Sequence, residues 1–528
     1  ESGQRLPSHL TIVGERGSLQ TMLPSDEAGL SIRQGHVYSA TGTASITLPA
    51  GTYTIYAGRG FEYSVDSALI SVRRGERLQK TLRIRREVDT RGWVASDTHI
   101  HTFTHSGHGD ATDRDRVITI AGEGIELPVV TDHNVHIDLR PEAVRNNVNK
   151  HFTLVTGNEV TTDVGHFNIF PVSGNDPVAD HRGRSWRELA GAISNSPARM
   201  IILNHARDMH RGFRPFDPKH FLPSAGARTD GEQVFANAME ILNSGSQQTD
   251  IMQLTRDWFG ILNHGQFLTP VGSSDSHDVS RFIVGQGRTY IQCDDTNPGN
   301  LDVDKAIDNF LNGKVMVSAG LLATIKVNDE YGPGDLVQGS RKLNVTVDVH
   351  APAWTRVDRV SLFANGKKVN EAKISDANKG GIKWHGTWSL DVPALDNFLV
   401  AVAEGPGENM PFWPLAKPFQ PVSENWQPRV IGITGAVWID GDRNGKRNSA
   451  RDYADELVKK YQSDLRSLIK ALNRYDEAVA TQAAIILWEN KVDLTGQTFQ
   501  DALPDANQST NTGITSALKD IQANTKPN

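Results

Sequence analysis

The chain has 528 residues, 38% hydrophobic and 22% charged, the balance of a folded globular protein and not of a disordered chain. Its net charge of −7 argues against a nucleic-acid carrier, which would show a basic stripe. No apolar run reaches the roughly 18 residues that a membrane-spanning helix needs, and the single cysteine, Cys293, excludes an intrachain disulfide framework and a thiolate metal cage.

A chain of this length calls for roughly three or four domains. The opening Glu1-Ser-Gly-Gln, with neither Met nor an apolar leader, is expected of a processed mature form or of a trimmed chain. Residues 1–90 read as a β-sandwich. Segments beginning at Ala44, Gly51 and Leu78 alternate apolar and polar residues between Gly and Pro turns. Within them Leu48-Pro-Ala-Gly-Thr-Tyr-Thr-Ile resembles a hairpin of transthyretin-like and carboxypeptidase-regulatory sandwiches. Those are accessory domains of secreted bacterial hydrolases, so the resemblance implies a secreted or periplasmic bacterial protein.

Over residues 91–325, apolar strands alternate with amphipathic stretches. The strands are expected at Leu127–Thr131, Thr153–Gly157, Phe167–Pro171, Met200–Asn204, Ala238–Asn243, Pro270–Ser274 and Thr289–Gln292. The helices are expected at Asp113–Gly122, Trp186–Ser194 and Ile251–Asn263. Such alternation predicts an α/β barrel-like domain, with its site where the strands end. Residues 326–435 return to strands, at Lys342–Val349, Val357–Ala364, Thr387–Val392 and Phe398–Glu404. They predict a second β-sandwich, ending in a Pro- and Trp-rich connector over Pro406–Pro428. In residues 436–528, helix-period apolar residues over Tyr453–Ala471 and Asp476–Glu489 predict a helical hairpin, and the polar Asp505–Asn528 is expected to fray.

Of the 18 histidines, 14 lie between His99 and His277. In a strand running through Gly92-Trp-Val-Ala-Ser, residues i and i+2 share a face, so His99 and His101 present paired imidazoles. The loop broken by Ser106, Gly107 and Gly109 carries His105 and His108. Later strand ends add Asp132-His133, Glu159 followed by His166, then His205, and finally Asp275 with His277. Imidazole and carboxylate without thiolate suit Zn, Mn or Fe. Two such metals about 3.5–4 Å apart can share a bridging hydroxide and stabilise both the attacking and leaving oxygens of an ester-type bond. Asp275 is placed to ligate and to accept a proton, and Asp132 to orient the neighbouring imidazole. Arg207, two residues after His205, either binds an anionic substrate group or is a solvated loop residue.

In order, Asp97-Thr-His-Ile-His-Thr, Ser106-Gly-His-Gly-Asp, Val130-Thr-Asp-His-Asn, Gly157-Asn-Glu-Val-Thr, Gly165-His-Phe-Asn, Leu203-Asn-His-Ala and Gly272-Ser-Ser-Asp-Ser-His resemble the PHP (polymerase and histidinol phosphatase) superfamily. The branch they are most similar to is that of the CehA/McbA-type metallohydrolases. The resemblance implies a distorted (β/α)7 barrel holding two or three divalent metals. It implies His99, His101, Glu159 and Asp275 around the first metal, with Glu159 bridging to a second held by His166 and His205. A third would take His133, His277 and His108. The spacing from His101 to His108 is one residue longer than the family's, which leaves His105 as a rival.

Of the other histidines, His151 and His181 are expected at the surface, while His136, His210, His220 and His264 could line the mouth. Cys293 is expected to be a packed, idle thiol. Asp440-Gly-Asp-Arg-Asn-Gly-Lys-Arg-Asn448 resembles a calcium loop of EF-hand or dockerin kind, with ligands from Asp440, Asp442, Asn444, Lys446 and Asn448. Its twelfth position is Arg451, where a bidentate carboxylate belongs, and Asp452 comes one residue late; the competing expectation is a polar turn capping a helix near Ala450. The leading expectation is a metal-dependent hydrolase of a small-molecule phosphoester, carboxylic ester or carbamate. A phosphoesterase mouth would draw on Arg182, Arg184, Arg207, Arg211 and Arg214, and a neutral-ester mouth on Phe213, Phe216, Trp258 and Phe259. The alternative is a non-catalytic surface or carbohydrate-binding protein with a relic barrel, but every expected ligand slot is filled.

Overall fold

A computed structural model describes the chain except residues 1–2, 24–28, 210, 231, 233, 244, 247–249, 339–341, 376–378, 409, 416–427, 462–463 and 526–528. At the N-terminus, strands Ser8–Gly14, Leu30–Arg33, His36–Ser39, Gly51–Gly58 and Asp66–Val72 form one antiparallel sheet with Ser8–Gly14 at its centre. The expected sandwich is reduced to this single sheet. Ala44–Leu48 stays extended, and Ala44, Ile46 and Leu48 turn onto the apolar layer of Ile12, Val37 and Tyr53 without joining a ladder. Leu78–Arg85 likewise lies outside any strand, held at its end by Ser64 N–H to the Arg85 carbonyl at 2.9 Å. Alternation in sequence sets which face a residue takes; a ladder also needs a partner strand in register.

In the centre, Trp93–Ile100, Leu127–Val130 and Val155–Thr156 run parallel, and Arg288–Gln292 flanks Trp93–Ile100 antiparallel. All four residues of Leu127–Val130 are buried, as expected of a parallel strand covered on both faces. A second sheet has the order Thr269–Gly272, Ala238–Leu242, Met200–Leu203, Gly165–Phe170, Asn158–Thr162; the first three strands are parallel and the last two antiparallel. The sheets meet at the strand ends. Val155–Thr156 leads directly into Asn158–Thr162, and isolated bridges join His133 to Glu159 and Ile100 to Ser276. Hydrogen bonding thus divides the central strands between two sheets that curl toward one another, where a single seven-stranded ring was expected. Helices Asp113–Glu123, Trp186–Ser194 and Gln253–Asn263 lie between these strands in the chain and Val303–Leu311 follows the last of them, so the architecture is multidomain α/β with several sheets.

The larger sheet continues beyond the centre. Val315–Ala319 pairs with Arg288–Gln292 on one side and Arg429–Thr434 on the other, carrying it into Asn397–Pro406, Arg359–Ala364 and Lys367–Lys373. A three-stranded sheet of Leu322–Val327, Lys342–Ala351 and Gly381–Asp391 faces this extension. Val345, Val347, Val349, Val360, Leu362, Leu399 and Ala401 form the core between them. Most of the Pro406–Pro428 connector lies outside the described residues.

The C-terminal region has more helix than the predicted hairpin. Tyr453–Ala471 divides into Ala450–Tyr461 and Leu465–Leu472, the latter N-capped by Asp464, whose carboxylate accepts from Ser467 N at 3.0 Å. Glu477–Glu489 follows as expected. The tail expected to fray forms the helix Gln508–Thr525, with Ile514, Ala517 and Ile521 buried. Among the described residues, no helix is long and apolar enough to cross a membrane.

Candidate metal centre

The strand ends deliver the predicted ligands to one place. Eight of them fall into four overlapping groups, with ligand atoms within 4.8 Å of one another inside each group: His101, His133 and His277; His99, His101 and Glu159; His99, His205 and Asp275; and Glu159, His166 and His205. Glu159 lies at the middle. Its carboxylate is 3.2 Å from His99 Nε2, 3.7 Å from His101 Nε2, 2.6 Å from His133 Nδ1, 3.1 Å from His166 Nδ1 and 3.4 Å from His205 Nε2. Asp275 Oδ1 stands 3.3 Å from His99 Nε2 and 3.4 Å from His101 Nε2. His108, the ninth, places its ring 4.2 Å from that of His277 and 5.1 Å from that of His133. His205 and Asp275, each just past a strand, have φ of 22° and 50°. Non-glycine residues rarely occupy that region, and such strain gathers at functional sites.

The outer nitrogens of four rings are tied down, which orients the inner ones. His99 Nδ1 meets Glu240 at 2.7 Å, and His101 Nδ1 meets Ser106 Oγ at 3.2 Å. His277 Nδ1 reaches the Asp275 carbonyl at 3.2 Å, and His108 Nδ1 the Ser106 carbonyl at 3.1 Å. An acceptor at Nδ1 fixes the proton there and leaves the Nε2 lone pair to face inward. The buried Nε2 atoms of His99, His101 and His277 have no hydrogen-bond partner. Converging, unsatisfied imidazole nitrogens beside two carboxylates are the donor set a divalent transition metal takes, so the residues fit such an ion.

The electrostatics of the cluster are strongly perturbed. Burial pushes Glu159 up, but His166, His99 and the hydrogen bond from His133 outweigh it and hold this carboxylate well below its usual range. Burial also lifts Asp275, to about 6, against the pull of His99 and His205. His101 is driven down by burial and His277, whereas His99 is pulled down by burial yet raised overall by Asp275, Glu240 and Glu159. Perturbations of this kind concentrate at functional sites.

Two supporting residues escaped the sequence reading. Glu240, fully buried in Ala238–Leu242, accepts from the His205 backbone N–H at 2.8 Å, Asn243 Nδ2 at 2.9 Å and Ser273 Oγ at 2.5 Å, besides holding His99. Arg116, fully buried in Asp113–Glu123, donates to the carbonyls of His101 at 2.8 Å and Ser276 at 3.0 Å, joining the first strand end to the last. For Glu240 the signal available was a charged residue inside an otherwise apolar strand, whereas Arg116 follows Asp113-Arg114-Asp115 and nothing in that charged run sets it apart.

Other candidates lie elsewhere. Asp132 accepts from Thr102 N at 2.8 Å and Ser106 Oγ at 2.6 Å, so it reaches His101 through Ser106 and not its neighbour His133. His105 turns to Asp113 at 3.2 Å. Arg207 is held in an ion pair with the buried Asp257, at 2.8 and 2.5 Å, and donates to the Phe216 carbonyl, so it faces the protein and not the cluster. Arg182 pairs with Asp180 and Arg211 with Asp163. Phe216, Trp258 and Phe259 are core residues, and Phe213 stacks on His220. His136 binds the Ser173 carbonyl at 3.0 Å, and His264 contacts Gln482 of the C-terminal helices at 3.3 Å. His210 lies outside the described residues. His181 is exposed, but His151 is half-buried and its basicity is lowered to about 4 by burial and by Arg59 and Lys150. Cys293 is buried, its Sγ 3.8 Å from the Asp302 carbonyl.

At the calcium-like loop, Asp440 and Asp442 are joined by Asp396, a carboxylate from before strand Asn397–Pro406 that the motif did not include. Asn444 Nδ2 and Asn448 Nδ2 both donate to Asp442 at 3.0 Å, and the Lys446 N–H donates to Asn444. Arg451 pairs with Glu489, and Asp452 accepts from Ser449 N at 2.7 Å, capping the helix that starts at Ala450.

The sequence matches no protein-family model, and no curated protein matches it. Among solved structures the chain is similar to a two-domain protein containing a predicted PHP-like metal-dependent phosphoesterase from Bacteroides vulgatus ATCC 8482. The identity is 12% and the TM-score 0.31, over 60% of this chain and 93% of that one. It is also similar to the β-glucuronidase of Parabacteroides merdae, with 11% identity and a TM-score of 0.16, over 83% of this chain and 60% of that one.

Proposed function

We propose that the chain is a metal-dependent hydrolase of PHP type, related to the CehA/McbA branch, whose curled central sheets are a distorted (β/α)7 barrel. The observation that carries this reading is Glu159: a carboxylate 1% exposed with five imidazoles within 3.7 Å of its oxygens. A purely structural core would leave the buried Nε2 atoms of His99, His101 and His277 without partners, which is costly. In this reading His99, His101, Glu159 and Asp275 hold one ion, Glu159, His166 and His205 a second, and His133, His277 and His108 a third. Bound Zn, Mn or Fe would supply Lewis-acid polarisation of the scissile bond and a nucleophile at neutral pH.

The chain's own groups do the rest. Asp275, 24% exposed at the rim, faces both ligands and solvent and is placed to accept a proton. Glu240 and Ser106 keep His99 and His101 oriented, and Asp132 holds the Thr102–Ser106 turn. The bonds such a centre would cleave are phosphoesters, carboxylic esters and carbamates.

The test is a panel of p-nitrophenyl phosphate, phosphodiester, acetate and carbamate, run with metal analysis of the purified protein. The expected result is two or three transition-metal equivalents and turnover of at least one of the four substrates. Glu159→Gln should reduce that turnover by about two orders of magnitude or more with the melting transition retained. Protein that binds no transition metal would end this reading.

A further inference from the structure

The loop carrying His108 does not stand alone. Asp110 N and Ala111 N both donate to the His277 carbonyl at 3.2 Å, and Val279 N donates to Asp110 Oδ1 at 2.8 Å. The loops bearing His108 and His277 are therefore laced together through Asp110. Gly109, at φ 83°, makes the contact possible: a Cβ there would stand 2.3 Å from the His277 carbonyl oxygen. The free side of Asp110 is taken by a residue 77 positions earlier, Arg33 at the end of strand Leu30–Arg33 in the N-terminal sheet. Its Nε lies 2.9 Å from Asp110 Oδ2, and its Nη2 donates to the Asp110 carbonyl and, at 3.1 Å, to Asp115 in the first turn of helix Asp113–Glu123. One guanidinium thus grips the loop just past His108 and the helix start that follows it, in the fork geometry that lysine cannot reproduce.

We propose that Arg33 is a positioning residue for the His108–His277 side of the metal centre, so that the N-terminal sheet is a working part of the site and not a detachable appendage. The inference rests on the metal-hydrolase reading above. It places the effect on one ion of the set: the ion held by His108, His133 and His277 depends on Arg33, while the ions around Glu159 do not.

The experiment is a zinc titration of the metal-stripped full chain against a chromophoric chelator, for the wild type and for Arg33→Ala, Arg33→Lys, Asp110→Asn and the Arg33→Ala/Asp110→Asn double variant. Ile12→Val, in the core of the N-terminal sheet and away from Asp110, controls for simple loosening of that sheet. Arg33→Ala is expected to weaken one zinc equivalent about tenfold and leave the others within about twofold, in line with losses seen for groups that orient ligands. Arg33→Lys should recover only part of the loss, Ile12→Val should show none, and the double variant should be no worse than Asp110→Asn alone. Equal weakening of every equivalent, equal effects from Ile12→Val and Arg33→Ala, or unchanged binding in Arg33→Ala would each overturn the proposal while leaving the hydrolase reading intact. A wild type that binds no zinc would overturn both.

Discussion

Glu240 is a carboxylate with no access to water, and it persists because four donors surround it: the His99 ring, the His205 N–H, Asn243 and Ser273. Burial alone would raise its pKa, yet His99 and His205 hold it down near 2. The same carboxylate fixes the His99 tautomer and the positive-φ backbone of His205, so it governs two members of the cluster through one side chain. Glu240→Gln keeps the shape but loses the charge, and is expected to weaken metal binding about 10- to 100-fold in a chelator competition at pH 7. Glu240→Ala should in addition destabilise the fold by about 3–5 kcal/mol, the range for breaking a buried charged pair, read from urea unfolding. If Glu240→Gln bound metal as the wild type does, the tautomer argument would fail. At this scale the cluster was legible because its members sit in or beside the ends of apolar strands, and the supports were less so. Glu240 is a lone charge in an apolar strand and Arg116 one of four consecutive charged residues, and each finds partners far along the chain, His99 for the one and Ser276 for the other. Arg207 misled for the converse reason: proximity to His205 in sequence says nothing of Asp257, 50 positions away, which claims it.

The helix Gln508–Thr525 shows what periodicity misses among whole elements. Its buried face is Thr510, Gly513, Ala517 and Ile521, with Ile514 beside them: small residues that permit close approach instead of an apolar stripe that announces it. Asn507 caps the helix by accepting from Thr510 N at 2.9 Å. Gly513 sits against helix Glu477–Glu489, where its carbonyl accepts from Thr481 Oγ1 at 3.1 Å and an added Cβ would come within 2.3 Å of the Glu477 carbonyl oxygen. Two effects oppose each other in Gly513→Ala. Helix propensity would stabilise by about 1 kcal/mol, while overpacking a close helix contact costs about 1–3 kcal/mol. Because the obstructing atoms are backbone and cannot move aside, destabilisation is expected, visible as a lower urea midpoint; a higher midpoint would show that the helices are not this close. By contrast Trp186–Ser194 was legible to the residue, since its apolar side chains are large, evenly spaced and preceded by a capping Ser185.

Across the whole molecule, both ends of the chain fold back on the central sheets. The C-terminal helices bind the segment near residue 224, through Asp520 to Ser224 N at 2.7 Å and Gln482 to the Ala225 carbonyl at 2.9 Å. The N-terminal sheet meets helix Asp113–Glu123 across a buried polar seam that no local pattern in sequence could reveal. There His36 Nδ1 lies 2.8 Å from His9 Nε2, His9 Nδ1 lies 3.3 Å from Glu123, and Tyr38 OH donates to Glu123 at 2.6 Å. Thr11, Arg116, Arg288, Arg59 and the Gly60 N–H, which donates to Glu123 at 3.1 Å, are further polar groups around the seam. Burial, helped by the neighbouring His9, lowers His36 to about 3 from its usual 6.5. Glu123 is pushed up by burial but held below its usual range by His9 and Tyr38. Both groups bind fewer protons folded than unfolded, so both stabilise at neutral pH and both lose that contribution as pH falls. Their windows differ. His36 begins to cost stability as pH drops through 6.5 and continues toward 3, with a limiting slope of about 1.4 kcal/mol per pH unit; Glu123 adds its loss only below its unfolded value of 4.5. His36→Gln, which cannot be protonated, should therefore differ from the wild type by an amount that shrinks steadily between pH 7 and pH 5, measured as the difference in unfolding free energy from urea curves at each pH. A constant offset across that range would show that His36 is not buried neutral at the seam. The shrinking difference would show that acid draws stability from this seam through His36 well before Glu123 is protonated.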